Sequence, residues 1–480
     1  MASTLSNLIW KFAERISSQL VSFVVSIILA RILSPSDYGC VAMVMIFVTL
    51  ANVLVEGGFS SALIQKKDAD KLDFSTVFYF SIAFSIILYL ILYFTAPLIS
   101  RFYGDGYEIL TPVLRVIGLQ VIIYGANSVQ QAYVSKKMMF RKFFWSTLVG
   151  TIISACVGLS MAYLGYGIWA LVGQQLTMAI TNTLVLYLVT RKLPGLSFSF
   201  KRLKGLFAYG AKILGASLLT TLFLDLRSLI IGKIYSAKDL AYFDRGRQFP
   251  NLLVSNINSS VGAVLFPKMS QEQDDKERIK QTCRMSIRFS SFVMMPLMMG
   301  LAACAAPFIR LLLTDKWIEC VPYLQLFCII YMFYPLHTAN MQAIKALGRS
   351  DTFLLLEVIK KTIELICLLL VMRISVTAIA INMAILTTLF TFVNAVPNMK
   401  LLSYSLREQL GDIMPSIVMS LAMAFCVSLI GRIPCSDIIK LTAQVLAGIF
   451  VYIGLALITK NKELKILWDI VKNRLLHHAK

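Results

Sequence analysis

Long apolar runs alternate along the chain with short polar connections, and most runs match the roughly 20 residues a helix needs to cross a bilayer core. They lie at 8–33, 39–64, 74–100, 112–135, 144–164, 167–190, 207–231, 240–266, 287–312, 321–345, 353–373, 376–397, 412–431 and 438–459. The pattern predicts fourteen transmembrane helices. Polar residues interrupt the first, second, fourth, seventh and eighth runs, so their ends are the least sharply drawn. The predicted fold class is an all-α integral membrane protein.

Composition agrees. Of 480 residues, 58% are apolar and 15% charged, with a mean hydropathy of +0.75. A soluble domain is nearer one quarter charged, so a soluble enzyme and a disordered chain are both excluded. The net charge of +21 would suit nucleic acid, but membrane proteins gather Lys and Arg in cytoplasmic loops for topological reasons. Connections after even-numbered helices, with the C-terminal tail, hold 28 Lys and Arg, against seven after odd-numbered ones. That bias predicts cytoplasmic termini. Nine cysteines are scattered through apolar runs without CxxC or metal-ligand spacing, as expected of small buried residues.

The halves of the chain resemble one another. Ser34-Pro-Ser-Asp37-Tyr38 aligns with Ser236-Ala-Lys-Asp239-Leu240, 202 residues on, and Ala96-Pro97-Leu98-Ile99 with Ala306-Pro307-Phe308-Ile309, at an offset of 210. Six helices separate equivalent points, so the repeats run parallel, a plan characteristic of transporters with a path at the repeat interface. The expected organisation is an N-lobe at 1–200 (helices 1–6), a C-lobe at 201–402 (helices 7–12), and two further helices with a basic tail at 403–480.

Polar residues at helical spacing inside such runs point to water or protein, because a charge at mid-membrane costs about 2.5–3.5 kcal/mol even on lenient scales. Helix 1 carries Lys11, Arg15, Ser18, Ser22 and Ser26 on one face. Helix 2 carries Thr49, Asn52, Glu56 and Ser60. Helix 8 carries Asp244, Gln248, Asn251, Ser255 and Asn258, with Arg245 and Arg247 beside its start; helix 7 adds Lys212, Asp225 and Arg227. Plainer roles compete with binding. Lys11 and Arg15 suit snorkelling anchors, Asn and Ser stripes suit interhelical packing, and Glu357, Lys360, Lys361 and Glu364 suit helical ion pairs. There is no Walker A motif, and every loop is too short for an appended catalytic domain. Transport is expected, not chemistry.

Several motifs resemble a known family. Ala30-Arg31-Ile32-Leu33-Ser34-Pro35-Ser36-Asp37-Tyr38-Gly39 looks like the "ARLLxPxDYG" signature of bacterial polysaccharide flippases. Glu56-Gly57-Gly58-Phe59-Ser60-Ser61-Ala62-Leu63-Ile64-Gln65 fits their "GFxxALIQ" element. Ala241-Tyr242-Phe243-Asp244-Arg245-Gly246 is similar to "GYFxRA", departing at Ala241 and Gly246, and Leu265-Phe266-Pro267-Lys268-Met269-Ser270 to "LFPxxS". The resemblance is to the Wzx-type polysaccharide branch of the multidrug/oligosaccharidyl-lipid/polysaccharide superfamily.

It implies a flippase in the bacterial inner membrane. The cargo would be a polyprenyl-diphosphate-linked oligosaccharide, moved to the outer leaflet by rocking lobes, with polymerase or export machinery as partners. Sugar hydroxyls would need a polar cavity, and the diphosphate would need cations. The expected cavity residues are Lys11, Arg15, Arg31, Asn52, Glu56, Asp244, Arg245, Arg247, Asn251 and Asn258, the basic ones of helices 1 and 8 gripping the diphosphate together. Glu56 and Asp225 are candidates for coupling to Na+ or H+. No cofactor or metal is expected. A cation-coupled drug antiporter of the same superfamily, a membrane polymerase or ligase, and a peptidoglycan-precursor flippase are the alternative readings.

Overall fold

The computed structural model describes residues 2–190, 195, 197–466 and 468. The side chains of Lys11 and Lys212 fall outside the described part, as do residues Arg191 and Lys192 and the tail's Lys472, Arg474 and Lys480. The first half holds α1 (Ala2–Ile32), α2 (Pro35–Glu56), α3 (Phe59–Gln65), α4 (Lys71–Tyr103), α5 (Leu110–Ile117), α6 (Leu119–Lys136), α7 (Phe140–Tyr163) and α8 (Ile168–Thr190). Then come α9 (Phe200–Ile234), α10 (Ala237–Gln271), α11 (Lys276–Ala303), α12 (Ala305–Leu313), α13 (Val321–Met332) and α14 (Tyr334–Ala346). A 3-10 turn at Asp315–Cys320 precedes α13, and α15 (Ser350–Val371), α16 (Val376–Val393), α17 (Val396–Leu401), α18 (Leu406–Ile430) and α19 (Asp437–Ile458) close the fold. No strand occurs among the described residues.

Every predicted run coincides with one helix or with a broken pair. Breaks separate α2 from α3, α5 from α6, α11 from α12, α13 from α14 and α16 from α17. Among the described residues, twelve helical stretches are long and apolar enough to cross a membrane, so the chain is a multi-pass membrane protein. Two predicted spans, α10 and α15, fall short of that measure. For α15 the reason is charge, in the expected pairs Lys360–Glu357 at 2.6 Å and Lys361–Glu364 at 2.9 Å; for α10 it is the polar stretch of Asn251, Ser255, Asn256, Asn258, Ser259 and Ser260 that follows its charged start. Several helices also extend beyond the predicted runs, α11 beginning at Lys276 rather than 287, because a helix continues into the polar interface after its apolar stretch ends.

The connections are set by local chemistry. Ser34 caps α2 in a reciprocal box with Asp37: the Ser34 hydroxyl donates to Oδ2 at 2.6 Å, and the Asp37 amide donates back to Oγ at 3.2 Å. At the matching position Ser236 and Asp239 form the same pair, at 2.6 and 3.1 Å. Each cap satisfies amides that an unpaired helix start leaves open.

The chain forms two compact units, 1–241 and 242–480. The division falls inside α10, so α9, first helix of the predicted C-lobe, packs in the first unit against α2, α3 and α4. There Phe59, Ala62, Leu63, Val77, Val129, Ala132, Leu203 and Leu206 form a core linking α3, α4, α6 and α9. In the second unit Phe292, Cys304, Met419, Met423, Val427, Tyr452 and Ala456 fasten α18 and α19 to the end of α11. Arg284 adds a bidentate pair with Asp412 at 2.8 and 3.0 Å, the guanidinium fork matching the carboxylate.

Candidate functional site

The first unit holds a polar pocket where a helix breaks. The α2 helix ends at Glu56 because Gly57 and Gly58 both take left-handed backbone angles, φ 48° and 71°, a region glycine enters without steric cost. The chain resumes as α3 at Phe59. Gly58 lies directly against Gly210 of α9, where an added Cβ would stand 2.7 Å from the Gly210 Cα. Two residue positions without side chains thus let the break press on the neighbouring backbone.

Beside this contact opens a cavity of about 680 Å³, lined from α2 and α3 by Val53, Glu56, Gly58, Ser60 and Ser61, and from α9 by residues including Ser217, Thr220 and Thr221. Glu56 is exposed into it. One turn earlier, Asn52 Oδ1 is buried and accepts no hydrogen bond among the described residues. The Thr220 hydroxyl donates to the Ala216 carbonyl at 2.8 Å, which leaves its oxygen lone pairs for an outside donor. The α9 residues that line the pocket, 213–221, lie within the apolar run of 207–231. The Glu56 carboxylate and the five hydroxyls of Ser60, Ser61, Ser217, Thr220 and Thr221 form an acceptor-rich wall suited to hydroxylated or cationic ligands.

Next along the seam of α3 and α9, on the other side of the Gly58–Gly210 contact, lies a basic pocket. Ala62, Gln65, Lys66, Lys201, Arg202, Gly205 and Leu206 enclose about 490 Å³. Lys66 pairs with the fully buried Asp73 at 2.6 Å, and Arg202 spans Asp73 at 3.4 Å and Asp70 at 3.3 Å. Lys136 donates to the Leu63 carbonyl at 2.9 Å and to the Lys66 carbonyl, placing a cation at the negative end of α3. The Asp73 amide, aided by the nearby Arg202, holds the Asp70 carboxyl below the usual carboxylate range.

The other expected site residues are dispersed. Arg15 is half-buried on α1, followed by Ser18, whose hydroxyl donates to the Glu14 and Arg15 carbonyls at 2.7 and 3.2 Å. Arg31 is exposed at the end of α1, and Asp225 is half-buried on α9. Asp244 pairs with Arg247 at 3.0 Å. Arg245 is only 5% exposed: it donates to Gln248 at 2.6 Å and lies over the Trp317 ring, 5.0 Å from its centroid. Asn251 is exposed and Asn258 half-buried.

The expected joint grip of helices 1 and 8 on one diphosphate would draw on both units, Arg15 standing in the first and Arg245 in the second. In the first unit the start of α1 lies with the start of α7, where Trp10 contacts Phe144 (5.2 Å) and Arg141. The turn leading into α10 lies with the end of α4: the Ala237 amide donates to the Tyr107 hydroxyl at 3.1 Å, and Lys233 donates to the Phe102 carbonyl. The Arg245 side chain is committed to Trp317 and Gln248. In contrast, Glu56 and the polar face of α2 do meet helix 7, through Ser217, Thr220 and Thr221, which had not been singled out. Their signal was present in Ser217-Leu-Leu-Thr220-Thr221, spaced i, i+3, i+4 on one face.

This architecture defines the class. The fold matches that of lipid II flippase MurJ in its inward closed conformation, with a TM-score of 0.74 at 17% identity, covering 94% of this chain and 98% of that one. It also matches an inward-facing multidrug resistance MATE family transporter of the MOP superfamily, with a TM-score of 0.61 at 14% identity over 80% of this chain and 94% of that one. The chain is thus a membrane protein with the fold of the MOP superfamily. Within that class it belongs to the polysaccharide biosynthesis protein family, whose model matches residues 28–322.

Similar sequences include the succinoglycan biosynthesis transport protein ExoT of Rhizobium meliloti, 26% identical over 67% of this chain and 64% of that protein. The teichuronic acid biosynthesis protein TuaB of Bacillus subtilis is 25% identical over 63% and 62%. The lipopolysaccharide biosynthesis protein WzxC of Escherichia coli is 22% identical over 68% and 66%. The matched stretches therefore span just under two thirds of each relative's length.

Proposed function

We propose that this protein flips a polyprenyl-diphosphate-linked oligosaccharide from the cytoplasmic to the outer leaflet of a bacterial inner membrane, for surface polysaccharide synthesis. The observation that carries the reading is the hydroxyl- and carboxylate-lined pocket at the broken α2–α3 helix, inside an otherwise apolar bundle. A glycan brings many hydroxyls that are costly to bury unpaired, and Ser60, Ser61, Ser217, Thr220 and Thr221 offer partners for them. A broken helix beside a polar pocket is also the feature on which membrane transporters build their binding sites. The polyprenyl chain needs no pocket, because lipid solvates it.

On this reading all fourteen helical segments cross the membrane, and both termini lie in the cytoplasm. The two parallel repeats rock to alternate access. Glu56 is the coupling carboxylate for Na+ or H+, with Asp225 as its reserve, and the chain performs no covalent chemistry. Arg15, with Lys11 and Arg31, draws the anionic cargo along α1. Polymerase or export machinery receives the flipped unit.

The test is reconstitution in proteoliposomes loaded on one side with a polyprenyl-diphosphate oligosaccharide carrying a fluorescent sugar. Protein-dependent exposure of that sugar to an impermeant quencher is expected, and filling the pocket with Thr220→Trp should stop it at normal expression. Protein-independent exposure, or transport of a cationic dye instead of the glycolipid, would overturn the reading in favour of an antiporter.

A further inference from the structure

We infer that the pocket of Lys66, Lys201 and Arg202 is a phosphoryl-anion site, which the diphosphate of the cargo occupies on its way to the hydroxyl-lined pocket. This assignment rests on the function proposed above.

The cavity itself is the first argument. Its about 490 Å³ exceeds what a diphosphate needs, and three of its seven lining residues are cations. Only two acidic side chains contact those cations among the described residues, Asp73 through Lys66 and Arg202 and Asp70 through Arg202. Lys201 is exposed, and among the described residues it has neither an acidic partner nor a hydrogen bond from its ammonium group. The site therefore keeps a surplus positive charge facing its own cavity.

The second argument is the direction of that charge relative to the helix. Lys201 and Arg202 lie in the first turn of α9, which contains no acidic residue. Cations there oppose the positive end of the helix dipole, a locally unfavourable choice that an anion in the cavity would reverse. The buried Asp73 explains Arg202, which it holds in place. It does not explain Lys201, which touches no carboxylate.

The third argument is order along one seam. Residues 201–206 of α9 face the basic pocket, Gly210 meets Gly58, and 213–221 face the hydroxyl pocket. The basic pocket, lined from α9 by residues 201–206, precedes the apolar run of 207–231, so it stands at the polar end of that helix. Cations at that end, a narrow glycine contact and hydroxyls beyond it match the order of groups in a lipid diphosphate that carries sugars. Roughly 10 Å of α9 separates Leu206 from Ile213, which is short enough for one headgroup to touch both pockets.

Phosphoryl chemistry has two sources here, the cargo and the anionic headgroups of the bilayer. The experiment separates them. Purified protein in neutral-lipid nanodiscs is titrated calorimetrically with inorganic diphosphate, then in competition with a polyprenyl diphosphate or with phosphatidylglycerol added to the disc. Lys201→Glu is the main variant, since Lys201 holds no structural contact, with Lys201→Arg as the conservative partner. A charge-assisted hydrogen bond supports an expected loss of about ten- to a hundredfold in diphosphate affinity for Lys201→Glu, with Lys201→Arg near wild type. Stronger competition by polyprenyl diphosphate assigns the site to the cargo; equal competition by phosphatidylglycerol keeps the anion site but overturns its role in cargo transfer. Unchanged affinity in Lys201→Glu, or no diphosphate binding by the wild-type protein, overturns the site altogether. Flipping by the wild-type protein in proteoliposomes is measured separately, so failure of the site and failure of the flippase reading give different results.

Discussion

The second predicted helix and the eighth, related by an offset of 202 residues, begin alike and end differently. Both start from a serine–aspartate cap of nearly identical geometry. Twenty-odd residues on, α2 breaks at Gly57-Gly58, whereas α10 continues through the matching Ser259-Ser260, whose hydroxyls both donate to the Asn256 carbonyl at 3.1 and 2.9 Å. Neither Pro250 nor Pro267 stops α10. A glycine pair in one copy and a serine pair in the other thus separates a helix that opens a pocket from one that stays whole. Polar stripes at equivalent positions are not equivalent sites: the one beside the break gains a cavity, while Asn258 remains on a continuous helix wall.

The largest effect should come from closing that difference. Gly58→Ala combines left-handed strain with a clash against Gly210, so about 2–4 kcal/mol of stability should be lost, together with transport. Ser260→Ala, its counterpart, should stay within about 0.5 kcal/mol. Thermal unfolding in detergent compares the two, and equal losses would contradict the asymmetry.

Glu56→Gln comes next. If Glu56 couples the ion, the variant should insert and fold normally yet lose the ion-dependent part of transport, while Asn258→Ala keeps it. Transport rates under imposed pH and sodium gradients read this directly. An unaltered gradient dependence would reduce Glu56 to a packing residue at a helix end.

Arginines on the two compared sides of the chain should also part company. Arg245→Ala removes the contact with Trp317 and leaves Gln248 unpaired in a buried setting, for a loss of about 2 kcal/mol. Arg15→Ala should leave the melting temperature within a degree or so of wild type and slow glycolipid export instead. Similar melting losses for both would show that Arg15 is structural too.

The smallest expected change tests the likeness rather than the difference. Ser34→Ala and Ser236→Ala each remove an N-cap and should each cost about 1 kcal/mol. Matching decrements would support common local physics at the two repeat starts.

Much of this was legible in advance. The fourteen runs found their helices because apolar length is a one-dimensional property, and the pairs on α15 followed from i,i+3 spacing alone. Glu56 stood out because a carboxylate in an apolar run is conspicuous. The α9 wall did not, since Ser217, Thr220 and Thr221 are mild helix residues that matter only once a broken neighbour faces them. Lys201 was counted among topology-setting charges, where its role at a cavity is invisible.

The sequence by itself determined the membrane class, the caps and the family motifs, since hydropathy, spacing and local hydrogen bonding act within a few turns of the chain. Which polar residues share a cavity was decided only by the tertiary structure. Two left-handed glycines brought the end of α2 onto Gly210 and set Glu56 opposite the hydroxyls of α9, about 160 residues away in sequence. Arg245, conspicuous as an intramembrane charge, was instead spent on Trp317. The fate of a buried charge depends on what packs against it in three dimensions, and no periodicity along the chain encodes that neighbour.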